Sequence, residues 1–335
     1  MGKLIRILIA VTMAFAACTP KQQNENSIKI TVELRPEINY VTHLYTLAGL
    51  GFSDDEYTAR YGNTTPLAAI DTLQKYKDFL IFGQGEGGML AGPFFFTVSQ
   101  LDISNRDSMQ KVMNTIKKEG QERQISDKMM KAVDAIAKVF VDNYETYLQQ
   151  TWPKVKADME DRVRLLNHHL QGNSFARDWE QVTGYQWKRG DYHWLLFRAG
   201  ENGPSYNNLS ENTNTVYYNQ SVNLQLSMFS HEFGIFLMQD EINPIYQEMR
   251  AYVETIESEE DLTYIPWSAF ESLSCWYNCQ IAGEETEDYR NFKDADVDIF
   301  CKIYDELSRK GITNPAELYR KGIEEYLSIM VCQES

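Results

Sequence analysis

Between residues 107 and 183 the chain repeats apolar side chains at helical spacing, and this periodicity limits the fold more than any other feature. Met130, Val133, Ile136, Ala137, Phe140, Val141 and Tyr144 recur at i, i+3 and i+4. They form one stripe of a helix that must be buried against a neighbour. The pattern predicts helices over 107–118, 127–149, 153–170 and 175–183, preceded by helices over 40–50 and 66–79. Strand-like alternation is confined to 28–34, where Ile28, Ile30, Val32 and Leu34 share a face, and to the runs 192–198 and 215–218. A loop rich in Asn, Gly and Ser, 200–214, is expected between the last two. Helices resume over 222–238, 244–256, 266–281, 295–310 and 315–330; Asn314 as cap and Pro315 at the first helical position mark the last. No repeat or composition break forces a boundary. The expectation is an α+β domain over 28–335, helix-rich to about residue 183, with a small mixed sheet in the part that follows.

Residues 1–17 stand apart. Lys3 and Arg6 precede the apolar run 7–17, interrupted only by Thr12. A membrane-spanning helix needs roughly 20 apolar residues, so this run is too short to span. A basic start, a short apolar stretch and small residues at its end are the grammar of a secretory signal. Phe15-Ala16-Ala17-Cys18 resembles the lipobox of bacterial lipoproteins, with Phe15 where leucine is usual. The resemblance implies cleavage before Cys18, a diacylglycerol on its thiol, and attachment to a membrane of the cell envelope, periplasmic or surface-exposed. The polar, aperiodic residues 19–27 then read as a flexible tether.

Loss of residues 1–17 removes two basic residues and no acid, leaving 30 basic residues against 48 acidic, a net of −18. Such a surface repels nucleic-acid phosphates, and no basic stripe opposes this, so nucleic acid is excluded as a partner. Besides Cys18, the cysteines are Cys275, Cys279, Cys301 and Cys332. Cys275 and Cys279 share a helix face with Cβ atoms about 6 Å apart, too far for an easy mutual disulfide. Two readings stay open: a bridge from one of them to Cys301 or Cys332, or buried free thiols. Gly83-Gln84-Gly85-Glu86-Gly87-Gly88 fits the G-x-G-x-x-G dinucleotide pattern, with 79–82 as a candidate preceding strand. Gly92-Pro93 is expected to prevent the helix that would gather the pyrophosphate charge, so a loop is preferred.

The segment Ser227-Met228-Phe229-Ser230-His231-Glu232-Phe233-Gly234-Ile235 places a His-Glu pair inside an apolar helix pattern. Zinc peptidases of the zincin type carry H-E-x-x-H on a helix, where two histidines one turn apart ligate zinc and the glutamate polarises the bound water. Two strand-like runs precede this helix. Downstream, 267–276 carries Glu271 between Phe270 and Ser272, the position at which a gluzincin would supply its third ligand. With Ile242-Asn243-Pro244 one helix later, the wording resembles a family of uncharacterised bacterial zincin-like proteins, often lipoproteins, with the pattern H-E-F-[SG]-H followed by Asn-Pro.

The resemblance implies a zincin-like α+β fold whose small sheet lies next to the His-Glu helix, with His231 and Glu271 as metal ligands and Glu232 as general base. Ile235, however, stands in place of the second histidine, and isoleucine cannot coordinate. Catalytic zinc sites keep three protein ligands plus water. The expectation is therefore a degenerate gluzincin without a cofactor, binding peptide, protein or glycan at the envelope. One alternative is an active zinc metallopeptidase with an unusual ligand set, for which His193 is the nearest spare histidine by strand position; His168 and His169 suit a solvated helix end. Tyr217 and Tyr218 are loose candidates for oxyanion stabilisation. The other alternative is a helical binding or structural lipoprotein.

The lipobox reading predicts that Cys18→Ala abolishes lipidation. Labelling cells with a fatty-acid analogue checks this: label on wild type and none on the variant is expected, and equal label on both would refute it.

Overall fold

The computed structural model describes residues 28–81, 89–201, 206–208, 212–256, 262–282 and 295–333. The described residues form two compact units: Ile30–His168 with His193–Gln220, and His169–Tyr192 with the residues from Ser221 onward.

In the first unit, β1 (Ile30–Glu33) leads into α1 (Pro36–Leu47), which opens on proline, a residue suited to a first helical turn. Then come α2 (Asp55–Tyr61), capped by Asp54 accepting from Tyr57 N, α3 (Leu67–Lys75) and α4 (Lys77–Leu80). A π-helical turn, Gly92–Thr97, runs into the short α5 (Val98–Gln100). The helices α6 (Arg106–Glu122) and α7 (Asp127–Thr146) start on a capping box at Asn105 and on Ser126, respectively. α8 is Trp152–Leu170. The sheet has the order β1-β2-β4-β3, with β2 (Tyr192–Phe197) parallel to β4 (Thr213–Tyr217) and β3 (Tyr206–Asn208) antiparallel to β4. β4 is buried throughout and β2 at all but His193, as expected for inner strands covered on both faces. The core of this unit joins Tyr40, Leu44 and Tyr45 of α1 to Phe94 and Phe95, to Val133, Ile136, Phe140 and Tyr144 of α7, and to Leu195 and Phe197 of β2.

The second unit is helical: α9 (Phe175–Thr183), α10 (Val222–Val253), α11 (Ile265–Ala282), α12 (Ala295–Arg309) and α13 (Pro315–Gln333). Ser221 caps α10, and Asn314 caps α13 by accepting from Glu317 N at 3.0 Å. Aromatic rings fill its interior. Trp187 stacks on Phe233 with centroids 4.6 Å apart, and Phe300 on Tyr326 at 4.5 Å. Among the described residues no helix is long and apolar enough to cross a membrane.

The α+β class is what the periodicity predicts, but four local expectations are corrected. Residues 127–170 form one continuous helical run, not two helices parted at Pro153. The π-helical segment Tyr147–Thr151 absorbs the proline: Trp152 N bonds back to Tyr147 O, five residues away, which loosens the turn where the ring would otherwise strike a carbonyl. Similarly, 222–253 is one helix with Pro244 inside it. The Asn-rich loop contains the short strand β3, which borrows its hydrogen bonds from β4. Finally, Gly92-Pro93 begins a helical turn, and Phe79 lies in α4 and not in a strand. The dinucleotide pattern therefore lacks its strand, although 83–88 itself lies outside the described residues.

Gly234 has no room for a side chain, since a Cβ there would lie 2.2 Å from the Trp179 ring. Overpacking costs typically 1–3 kcal/mol, against a helical gain of about 1 kcal/mol for Gly to Ala. Gly234→Ala is expected to destabilise the protein by about 1 kcal/mol in urea melts. The loss should shrink in a Trp179→Phe background; an equal loss in both would show that the indole is not the cause.

Candidate functional site

The second unit brings two of the residues singled out in the sequence into direct contact. Small side chains on one face of α10 let its neighbours approach. Ser230 Oγ accepts the indole N–H of Trp179 at 2.9 Å, and Asn278 of α11 donates to Ser227 O at 3.3 Å. Ser274 Oγ donates to the carbonyl of His231 at 2.8 Å, fixing α11 beside it. In this frame His231 Nε2 lies 3.0 Å from Glu271 Oε2. On the other side of the ring, Nδ1 lies 3.8 Å from Cys275 Sγ, one turn beyond Glu271 on α11. The His231 side chain is 12 % exposed and that of Glu271 is 29 % exposed.

The electrostatics follow from this arrangement. Burial works against a charged His231, but the hydrogen bond and charge of Glu271, helped by Glu232, outweigh it and lift the imidazole above its ordinary pKa. Burial pushes the Cys275 thiol well above the usual range, and the neighbouring Cys301 and Glu271 add to this, so the group beside His231 is a neutral thiol and a poor nucleophile. Chemically, the cluster is a hydrogen-bonded imidazole–carboxylate pair with a thiol against the second ring nitrogen.

Whether these donors fit a catalytic zinc ion turns on Ile235. It is 3 % exposed within α10 and brings no donor atom. Among the described residues no three His, Cys, Asp or Glu side chains are grouped to hold a metal ion. Two donors at bonding distance from each other do not make the three-ligand set that a catalytic zinc requires. Glu232 is half-buried next to His231, in position to add negative charge there.

The remaining candidates are placed elsewhere. His193 belongs to the first unit, where Nδ1 is 2.6 Å from Glu33 Oε1 and 2.9 Å from Thr31 Oγ1. His168 and His169 are exposed at the end of α8. Among the described residues Cys275, Cys279 and Cys301 form no disulfide. Cys18, the side chain of Cys332 and the glycine-rich motif lie outside the described residues.

Tyr217 and Tyr218 join a polar cluster that sequence reasoning missed. Its centre is Arg198, whose side chain is 2 % exposed at the end of β2. Its guanidinium bonds Asp54 at 3.1 Å and Glu56 at 2.9 Å, while Nε lies 3.9 Å from Asp158. The ring of Tyr218 lies under it at 4.8 Å and that of Tyr57 at 5.6 Å. Tyr217 donates to Asp54 at 3.4 Å. The only trace in the sequence is an arginine closing an apolar strand; its carboxylate partners are 40 to 144 residues away along the chain. His43 is also buried there, with Tyr57 Oη 2.8 Å from Nδ1 and Thr65 Oγ1 2.7 Å from Nε2. With hydroxyl partners and no carboxylate against the ring, burial alone pulls its pKa down to about 3.

Comparison of the chain with protein-family models, curated proteins and solved structures finds no match.

The two buried histidines predict opposite pH limbs. A histidine held neutral takes up its proton only on unfolding, so His43 removes stability as pH falls below about 6.5, by roughly 1 kcal/mol per pH unit. His231, with its pKa raised, contributes stability that is fully present below about 6.5 and lost as pH rises through its folded value. Urea melts between pH 4 and 9 check both signs. His43→Gln should flatten the acid limb and His231→Gln the alkaline one. Slopes unchanged in the variants would contradict the assignment.

Proposed function

We propose that this chain is a cell-envelope lipoprotein built around a decayed gluzincin-like site, one that holds a peptide, protein or glycan ligand without cleaving it. The reading is carried by one observation: His231 and Glu271, from facing helices, meet at 3.0 Å, at the two positions where the zincin-like pattern places ligands. The third position of that pattern is the buried, apolar Ile235. Without a cation between them, an imidazole and a carboxylate at ligand distance satisfy each other by a charge-assisted hydrogen bond. A remnant site would close in this way. Membrane attachment through Cys18 rests on the lipobox and its tether. Helix-rich α+β architecture is common ground with other folds, so the zincin-like assignment depends on the ligand positions and not on the class.

A second reading is favoured by the other contacts of His231. Cys275 at Nδ1 and Ser274 at the backbone carbonyl leave the residue engaged on every side. That is also how a purely structural ion pair between two helices looks, in a helical binding lipoprotein with no peptidase ancestry.

Zinc analysis separates the readings. Wild-type protein is expected to copurify with well under one zinc per chain and to show no peptidase activity. Ile235→His restores the i, i+4 histidine pair beside Glu271 and is expected to raise zinc occupancy by about tenfold or more, since each ligand recovered on a preformed helix strengthens binding. Circular dichroism confirms that the variant folds, and Ile235→Asn serves as a polar control without an imidazole. Stoichiometric zinc in the wild type would replace the remnant by a working metal site. A folded Ile235→His protein that binds no more zinc than Ile235→Asn would leave the structural ion pair.

A further inference from the structure

Three cysteines gather where α11 packs on α12. Cys275 and Cys279 are one turn apart on α11, and Cys301 lies on α12. Cys301 Sγ rests 3.9 Å from the carbonyl oxygen of Ser272, and one turn later Asp305 accepts the indole N–H of Trp276 at 2.9 Å. Both contacts join residues 29 apart, so the two helices run side by side in one direction, with Cys301 beside the turn 272–275. Tyr304 holds this packing from a buried position by donating to Ala269 O at 2.8 Å. Packed helices have axes roughly 8–10 Å apart and Cα atoms about 2.3 Å from each axis, so facing Cα atoms come within about 4–5 Å, inside the reach of a disulfide. Along one helix the geometry is worse: Cβ atoms at i and i+4, as in Cys275 and Cys279, are about 5–6 Å apart, against roughly 4 Å in a disulfide. Cys279 also sits about 6 Å further along α11 than Cys275, past the level of Ser272. Cys301 raises the pKa of the Cys275 thiol more than Glu271 does, although Glu271 is one turn away on the same helix. Cys275 is 2 % exposed and has its sulfur 3.8 Å from His231 Nδ1, whereas Cys301 is half-buried.

We propose that Cys275 and Cys301 are a reversible thiol–disulfide pair whose oxidation draws the Cys275 sulfur away from His231. The oxidant is a disulfide, RS–SR, of the kind that an oxidising compartment supplies. Cys301, the more exposed thiol, gives up its proton and attacks one sulfur of RS–SR. That S–S bond breaks, Cys301 keeps SR in a mixed disulfide, and the other RS⁻ leaves and takes the proton. Cys275 then attacks the Cys301 sulfur, the bond to SR breaks, and the second RS⁻ leaves with the Cys275 proton. Two thiols have lost two electrons and two protons, and RS–SR has become two RSH. An S–S bond of about 2.05 Å to a residue of α12 pulls Cys275 Sγ from the α10 side, so Nδ1 of His231 loses its thiol neighbour while Nε2 keeps Glu271. This holds whether the His231–Glu271 pair is a metal-site remnant or a structural contact.

The full chain is incubated with oxidised glutathione, its remaining thiols are blocked with N-ethylmaleimide, and a chymotrypsin digest is mapped by mass spectrometry. Cleavage at Trp276 or Tyr277 separates Cys275 from Cys279. A linked Cys275–Cys301 peptide pair is expected, and prior treatment with dithiothreitol should abolish it. Folded Cys279→Ser protein should keep the pair, and Cys275→Ser protein should leave glutathione on Cys301. The ring-nitrogen NMR signals of His231, assigned by their loss in His231→Gln, are expected to shift on oxidation and to return on reduction. Circular dichroism verifies that the variants fold; where Cys275→Ser does not, the wild-type map and spectra decide. Absence of the Cys275–Cys301 link in wild type, or a Cys279–Cys301 link in its place, would overturn the pair. A link that leaves the His231 signals unmoved would overturn its action on His231.

Discussion

The indole of Trp179 fills the space that a side chain at position 234 would need, and it donates its N–H to Ser230 one turn earlier. This contact ties α9 to α10 along a strip where only small residues fit. The neighbouring face of α10 follows the same rule. Ser227 and the backbone of His231 meet Asn278 and Ser274, so hydrogen bonds to backbone and hydroxyl groups tie the two long helices together here. Close approach is what allows a histidine and a glutamate from different helices to reach hydrogen-bonding distance. Protein interiors are packed too densely to shift by an ångström at no cost, so the His231–Glu271 geometry is held by packing that surrounds it.

Burial and hydrogen-bonding partners together set the charge of a side chain in this protein. His43 and His231 are both taken from water, yet His43 faces hydroxyl groups and is held neutral, whereas His231 faces a carboxylate that lifts its pKa above the ordinary value. Arg198 is a third case. A buried guanidinium would be prohibitively unstable alone, but Asp54, Glu56 and Asp158 supply opposite charge and two tyrosine rings cover its faces. Removing one partner of such a cluster leaves an uncompensated charge, so these groups constrain which conformations of the first unit are tolerable.

Helix positions were legible wherever burial follows a single stripe. The run from Met130 to Tyr144 and the cap at Asn314 are local signals, and local geometry answers them. Prolines misled the reading at 153 and 244 because a missing N–H can be absorbed inside a helix: by five-residue hydrogen bonding in one case and by an otherwise intact run in the other. Strand β3 could not be seen, since three polar residues become a strand only by pairing with β4. Within the candidate site, His231 and Glu271 were recognisable from motif order and are in contact. The thiol of Cys275 at the second nitrogen was not foreseen, because i, i+4 spacing from Glu271 gains meaning only once the partner helix is known.

What the sequence determined by itself is therefore local: the α+β class, most helix positions, the capping residues, and the apolar Ile235 one turn after His231. Each depends on residue type and on spacings within a few turns of chain. Tertiary structure alone decided which charges meet. The pairing of His231 with Glu271 spans 40 residues and that of Arg198 with Asp54 spans 144. Charge interactions depend on distance in space and on local dielectric, and neither quantity is written in the order of the residues.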